Sequence, residues 1–570
     1  MDSDSVDARS DPLSKALDRY FAQYFSRHPV NATFTGLHAL DDRLPDWSPA
    51  GLAQQADEMR RLRGELNDTA NPTNEQLRTS TIALDDELAR ANLDVRLAES
   101  DSGFFHHRNP ALWTGEAIFG VVSLMIRDFA PIHQRLPAIV ARLRAIPSFL
   151  AQMTEVVREP IPPQWIARAV RECVAADGLF DRGLSAWIGA NGVDASASAA
   201  LHAAAVDARE AFATTESWLR SRSGADDTSC AAGREMFVTL LTRGHYCDSA
   251  PESLLQEAEV ELAVAQAALA SRLAPIAATW EEAQRLMALD HPGVDDYYAT
   301  FQRRWEECRR IVQAHNAVTW EDWPIRYVPI PAWAQEWAPQ LYWLFYRSPA
   351  PFDPYTVYDY VVTPIDGEMD AEEREARLQA WNHGTIALNH VIHHGAVGHH
   401  LQNWHARYRA QSRIGRIAAT DCASRIAMFL GGSMAEGWAC YATQLMGELG
   451  MLSPLEELSE YHTSVRMLAR AIVDIRLHLG HISFADAVQY YQDTVGMPVA
   501  TATAEATKNS MFPCTAIMYW LGTRQIVAAR TLVQAARGNE FSLRDFHDEL
   551  LSRGAIPVAL AVTLMTEHLA

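Results

Sequence analysis

Positive charge is in short supply in this chain. Of 570 residues, 49 are Lys or Arg against 71 Asp or Glu, a net charge of −22 at pH 7. Such a surface repels phosphate backbones and anionic lipid, so neither nucleic acid nor a membrane surface is an expected partner. Cysteine is scarce as well. The seven thiols (Cys173, Cys230, Cys247, Cys308, Cys422, Cys440, Cys514) are odd in number, scattered, and never spaced Cys-x-x-Cys. That argues against a disulfide framework or a thiolate zinc site and fits a reducing cytoplasm. No run of eighteen apolar residues is free of charge, so no membrane span is expected. The start, Met1 to Asp7, lacks the basic and apolar regions of a secretory signal. No Gly-x-Ser-x-Gly elbow, phosphate loop or dinucleotide glycine pattern stands out, and no repeat of fixed period is visible.

What is present is helical texture, in a composition 48% hydrophobic and 21% charged, typical of a folded globule. Leu17, Tyr20, Phe21 and Tyr24 fall at three- and four-residue steps and predict an amphipathic helix over 14–25. Further helices are expected over 48–66 and from Pro251 to about Arg272, where proline and acid occupy the first turn. The polar stretch from Ser221 to Gly233 reads as a linker or exposed loop. Between Trp323 and Pro364 proline and aromatics crowd together, with a β-prone piece over 358–363. A small irregular or sheet-bearing insert is expected there, and its aromatics read as core before they read as a cleft wall. Arg303, Arg304, Arg309 and Arg310 beside Glu306 and Glu307 read as an ion-paired helix face. The class is mainly α, a large multi-helix chain with an N-terminal lobe over 1–225 and a second lobe over 234–570.

The chemistry concentrates between His390 and Gln402. Thirteen residues hold five histidines (His390, His393, His394, His399, His400), and Glu436-Gly437-Trp438 follows inside an apolar helical pattern. Imidazole is the commonest zinc ligand, and a carboxylate completes many catalytic sites. On a regular α-helix, at about 100° per residue, His390 and His394 share a face, as do His393 and His400. His393 and His399 point roughly 120° apart and meet only if the helix breaks, for which Gly395 and Gly398 provide the means. His405 reads as structural, and Cys440 as a small buried hydrophobe.

At these residues the sequence resembles the DUF885 family, a group with gluzincin-like zinc-peptidase features. The family signature His-Glu-x-x-Pro-Gly-His-His-x-Gln followed by Glu-Gly-Trp-x-x-Tyr is matched by His393 to Gln402 and by Glu436-Gly437-Trp438-Ala439-Cys440-Tyr441. Gly36-Leu37-His38, the run from Arg470 to His478, and the tail from Leu543 to Leu551 also look like family motifs. The resemblance implies a single neurolysin-like helical domain over 1–570. It implies a divalent metal held by His393, His399 and Glu436, with zinc first and iron or manganese as alternatives. Tyr519 is implied as a catalytic residue, and Asp474 and His478 as substrate-binding residues of the same cleft.

The departures matter equally. His394 stands where the family has its general-base glutamate, Val397 replaces the signature proline, and Lys508-Asn509 replaces an Arg-Tyr pair. Lys508 is therefore the candidate substrate-binding cation and His394 the candidate base. Three readings follow: a metal-dependent hydrolase of an amide or peptide-like small molecule or short peptide, a non-haem metalloenzyme with redirected chemistry, or a non-catalytic binding protein. The sequence does not specify an oligomeric state.

Overall fold

The computed structural model describes residues 12–67, 72–222, 224, 230–341, 350–353, 358–418, 420 and 430–567. It is mainly α, as the periodicity predicts. The first helix, Pro12–Arg27, buries Leu17, Tyr20, Phe21 and Tyr24, the four residues expected to face the core. The helices Pro49–Asn67 and Pro251–Leu273 fall where proline and periodicity place them. Pro110–Met125 is mostly apolar and buried along its whole length, Thr114, Glu116 and Ser123 included. Ile132–Val156 and Pro163–Gly178 pack against it, and Ala195–Arg220 closes over both.

Most of the buried apolar side chains form one cluster that runs from Ala16 to Met565. Polar ties also cross between the two halves of the chain: Trp165 Nε1 donates to Ser510 Oγ at 2.8 Å, and Ser412 Oγ to Asp85 Oδ1 at 2.6 Å. The segment 221–233 lies partly outside the described residues. Its end is pinned rather than loose, since the Gly233 amide donates to the His478 carbonyl at 2.9 Å.

The expected β-bearing insert is a two-stranded parallel sheet, β1 (Ile325–Pro329) with β2 (Tyr358–Val362), pairing Tyr327 with Tyr360. Trp333, Trp337 and Tyr360 are core residues, whereas Phe352 is exposed. Tyr342, Trp343, Phe345, Tyr346 and Tyr355 lie outside the described residues. The arginine face is ion-paired: Arg303 to Asp296 at 2.5 Å, Arg304 to Glu307 at 2.7 Å and to the buried Glu456 at 2.8 Å. Six of the seven cysteines are described, and all six are free and buried. Among the described residues no helix is long and apolar enough to cross a membrane.

Candidate metal centre

The histidine cluster sits on a helix that is not α. Thr385–Gly395 is wound as a π-helix, so backbone bonds span five residues and each residue advances by less than the α-helical angle. The winding ends at Gly395, and a new helix, His399–Tyr408, begins after three intervening residues. Gly398 makes the fold-back feasible: a Cβ there would lie 1.9 Å from the His393 carbonyl oxygen. The turn is buried, so its carbonyls need donors. Trp305 Nε1 donates to the Gly395 carbonyl at 2.8 Å and Trp438 Nε1 to the Val397 carbonyl at 2.8 Å. The Trp of the Glu-Gly-Trp motif thus fixes the break that precedes His399.

Glu436 arrives on the helix Gly432–Glu448, which crosses Ile517–Arg537 at very close range. A Cβ on Gly437 would lie 2.6 Å from the Gly522 Cα, so the two backbones touch beside the carboxylate. Glu436 Oε2 lies 3.3 Å from His393 Nε2 and 3.6 Å from His399 Nε2. His394 joins them, with one ligating atom from each of the three histidines within 4.8 Å of the others. Two nitrogen or oxygen ligands at about 2.0–2.1 Å from a tetrahedral ion lie roughly 3.3–3.5 Å apart. The observed spacings match that separation better than they match hydrogen bonds. Oε2 is buried and makes no hydrogen bond of good geometry. The donor set fits a borderline divalent cation.

The electrostatics agree. Burial alone would push the Glu436 carboxyl up, but His393 and His399 outweigh it and hold it well below the usual carboxylate range. Burial lowers His393, with Glu436 opposing. Burial and the neighbouring imidazoles hold His394 well below 6.5. His394 Nδ1 lies 2.6 Å from the Asn389 carbonyl oxygen. A carbonyl only accepts, so Nδ1 carries the proton and Nε2 keeps its lone pair. The carbonyl five residues back on a π-helix thereby sets the tautomer, as outer partners do for ligating or catalytic imidazoles.

The other clustered histidines are spent elsewhere, which corrects the α-helical face arithmetic. His390 stacks on Trp381 at 4.1 Å between centroids and pairs Nδ1 with Tyr360 Oη at 2.6 Å, and burial lowers it to about 3. His400 stacks on Trp323 and donates Nε2–H to that residue's carbonyl at 2.9 Å. His405 donates to the Thr319 carbonyl at 3.1 Å, the structural role expected of it. Cys440 is buried and its thiol is pushed up by that burial, again as expected.

Asp474 and His478 are both buried and bonded to main chain. Asp474 accepts the Cys514 amide at 3.0 Å and the Ile517 amide at 2.9 Å, and burial raises it to about 7. His478 donates Nε2–H to the Asn509 carbonyl at 2.9 Å, and its Nδ1 accepts the Ala232 amide at 3.3 Å. Both position the turn before Tyr519. Tyr519 is buried beside Cys440, Met467 and Met518, with the Arg470 guanidinium 4.3 Å over its ring. Lys508 is half-buried on Val499–Met511, and its charge acts on Glu505.

The DUF885 family model, described as a bacterial protein of unknown function, matches residues 29–565. The chain belongs to this family. No curated protein matches it. Two solved structures share the fold of this DUF885 protein. One, from Shewanella oneidensis, is described as a "putative lipoprotein of unknown function". It is 21% identical with a TM-score of 0.75, covering 97% of this chain and 99% of its own. The other, a "putative lipoprotein" from Colwellia psychrerythraea, is 16% identical with a TM-score of 0.77, covering 98% and 99%. That description sits apart from the cytoplasmic expectation drawn from the cysteines.

Sequence reasoning passed over Arg466 and the relation of Arg470 to its neighbours. A signal was available. Arg466, Arg470, Asp474 and His478 recur every four residues along Pro454–His478, a polar stripe on a helix whose second half is otherwise apolar except for Arg476. His547 was seen only as part of a motif. It pairs Nε2 with Tyr441 Oη at 2.8 Å and gives Nδ1–H to the Ala317 carbonyl at 2.7 Å, bracing the Glu436 helix from behind.

Proposed function

We propose that this DUF885 protein is a divalent-metal-dependent hydrolase of an amide or peptide-like small substrate. His393, His399 and Glu436 would hold the ion, and His394 would handle the proton. The observation that carries this reading is Glu436 Oε2, buried and without a hydrogen bond, 3.3 and 3.6 Å from two imidazole nitrogens. A divalent ion in such a set lowers the pKa of water towards about 7 and polarises a carbonyl. The chain's own residues do the rest. His394 takes a proton at Nε2 while the Asn389 carbonyl holds the opposite edge of the ring. Held neutral at physiological pH, this half-buried imidazole keeps its Nε2 lone pair free to accept a proton and gives it up readily. Tyr519, its ring under Arg470, presents a phenol from the same buried wall as Cys440, one turn beyond Glu436.

One observation favours a second reading. His394 has a ligating atom within 4.8 Å of those of His393 and His399, so a third imidazole could join Glu436 in holding the ion. Four protein ligands would fill a tetrahedral zinc ion but leave room on a six-coordinate iron or manganese ion, and so favour redirected chemistry. Metal analysis of protein purified without chelators separates the two. Stoichiometric zinc and amide hydrolysis are expected. Iron with oxygen-dependent turnover would establish the second reading, and no bound metal would sink both and leave a binding protein. His394→Glu is expected to retain metal and hydrolyse amides at a changed pH optimum. Loss of metal from that variant would make His394 a ligand instead.

A further inference from the structure

We propose that Arg466 recognises a carboxylate on the substrate, such as the free end of a peptide or of an N-acyl amino acid. The inference rests on the metal-centre reading and names the substrate class of that same site. Arg466 lies one turn before Arg470, whose guanidinium covers the Tyr519 ring, and directly before Met467, which shares a buried cluster with Tyr519 and with Cys440, one turn beyond Glu436. The helix that carries Arg466 thus borders the histidine–glutamate cluster, and the Arg466 charge acts on His393 and Glu505. Its Nε is buried and makes no hydrogen bond. Among the described residues no carboxylate forms an ion pair with it.

The acid within reach is already taken. Glu505 Oε1 lies 2.7 Å from Arg470 Nε, a charge contact without hydrogen-bond alignment. Burial pushes Glu505 up, but Arg470, Arg466 and Lys508 together outweigh it. Lys508 is one of only two lysines in the chain, the other being Lys15. The remaining acids are committed or neutralised. Glu436 faces the imidazoles, Asp474 is spent on backbone amides, and burial raises Glu460, bonded to Ser464, to about 7. With a divalent ion present, the described acids left to balance Arg466, Arg470, Lys508 and the ion are Glu436 and Glu505. A planar guanidinium with unused donors beside such an excess is matched in shape and charge by a carboxylate.

The test uses zinc-loaded full-length protein and two ligand series that share a metal-seeking hydroxamate. These are the monohydroxamates of succinic, glutaric and adipic acid, and their terminal primary amides. Calorimetry should show at least one acid binding roughly 10- to 100-fold tighter than its amide, as a charge-assisted contact provides. Arg466→Gln should erase that preference and leave amide affinity within about twofold, while Arg466→Lys should keep part of it. Should the Gln variant fail to fold, the Lys variant carries the comparison. Equal binding of acid and amide to the wild type, or equal losses of both in the variants, overturns the proposal. Failure of every hydroxamate, acid and amide alike, would instead overturn the metal-centre reading on which it stands.

Discussion

Two buried polar regions lie along this molecule's interior, and they are built on opposite rules. Around Asp474, His478 and His547 nearly every polar atom finds a backbone or hydroxyl partner at 2.7 to 3.3 Å. Around Glu436 two imidazoles face an Oε2 without a hydrogen bond, and a third, His394, lies within 4.8 Å of both rings' ligating atoms. The first region is a set of braces, complete as it stands. The second is an open cage, its ligand-type atoms facing one another at 3.3 and 3.6 Å without a hydrogen bond. An unsatisfied buried acceptor is costly, so its presence beside ligand-type nitrogens is better explained by a function than by stability.

Acid should expose the braces most strongly. His390, His400, His405, His478 and His547 are all buried, with pKa values lowered by burial to about 3 or 4. Below about 6.5 the unfolded chain binds protons that the folded chain refuses. Stability is therefore full above that pH and is lost as pH falls towards 4, at up to about 1.4 kcal/mol per histidine per pH unit. Denaturant titrations from pH 7.5 to 5 should show a loss of several kcal/mol. Unchanged stability over that range would mean these imidazoles are not held neutral.

Single substitutions should then divide the two regions. Asp474→Ala leaves two buried amides without an acceptor and should cost about 2 to 5 kcal/mol in a denaturant melt, with zinc affinity of the folded protein unchanged. Glu436→Ala should do the reverse, weakening zinc binding by at least about 100-fold without destabilising the metal-free protein. If both variants lose the same property, the distinction between brace and cage fails. The smallest expected effect is Trp438→Phe. It removes the donor to the Val397 carbonyl and should cost about 1 kcal/mol with a modest loss of zinc affinity. Unaltered melting would show that the turn does not depend on that indole.

The sequence revealed a good deal of this. Helical class follows from apolar spacing, which is local information, and the β-bearing insert follows from its change of texture. The meeting of His393 with His399 across Gly395 and Gly398 was also readable, because glycine marks where a helix can break. The π-winding was not, since no residue pattern announces i+5 bonding, and with it went the assignment of faces to His390 and His394. The main-chain bonding of Asp474 and His478 was hidden for a different reason. Their partners are main-chain groups of Cys514, Ile517, Asn509 and Ala232, and backbone partners leave no trace in side-chain patterns.

The contact of Gly437 with Gly522 bears on how finely the Glu436 carboxylate is placed. Helices that meet through side chains can yield by rotamer changes, whereas these two meet main chain on main chain with nothing compressible between them. The spacing between Glu436 and the two imidazoles is thus gauged by a hard stop. Even a methyl group at either glycine would act as a shim, displacing the carboxylate by an amount comparable to the tolerance of a coordination bond.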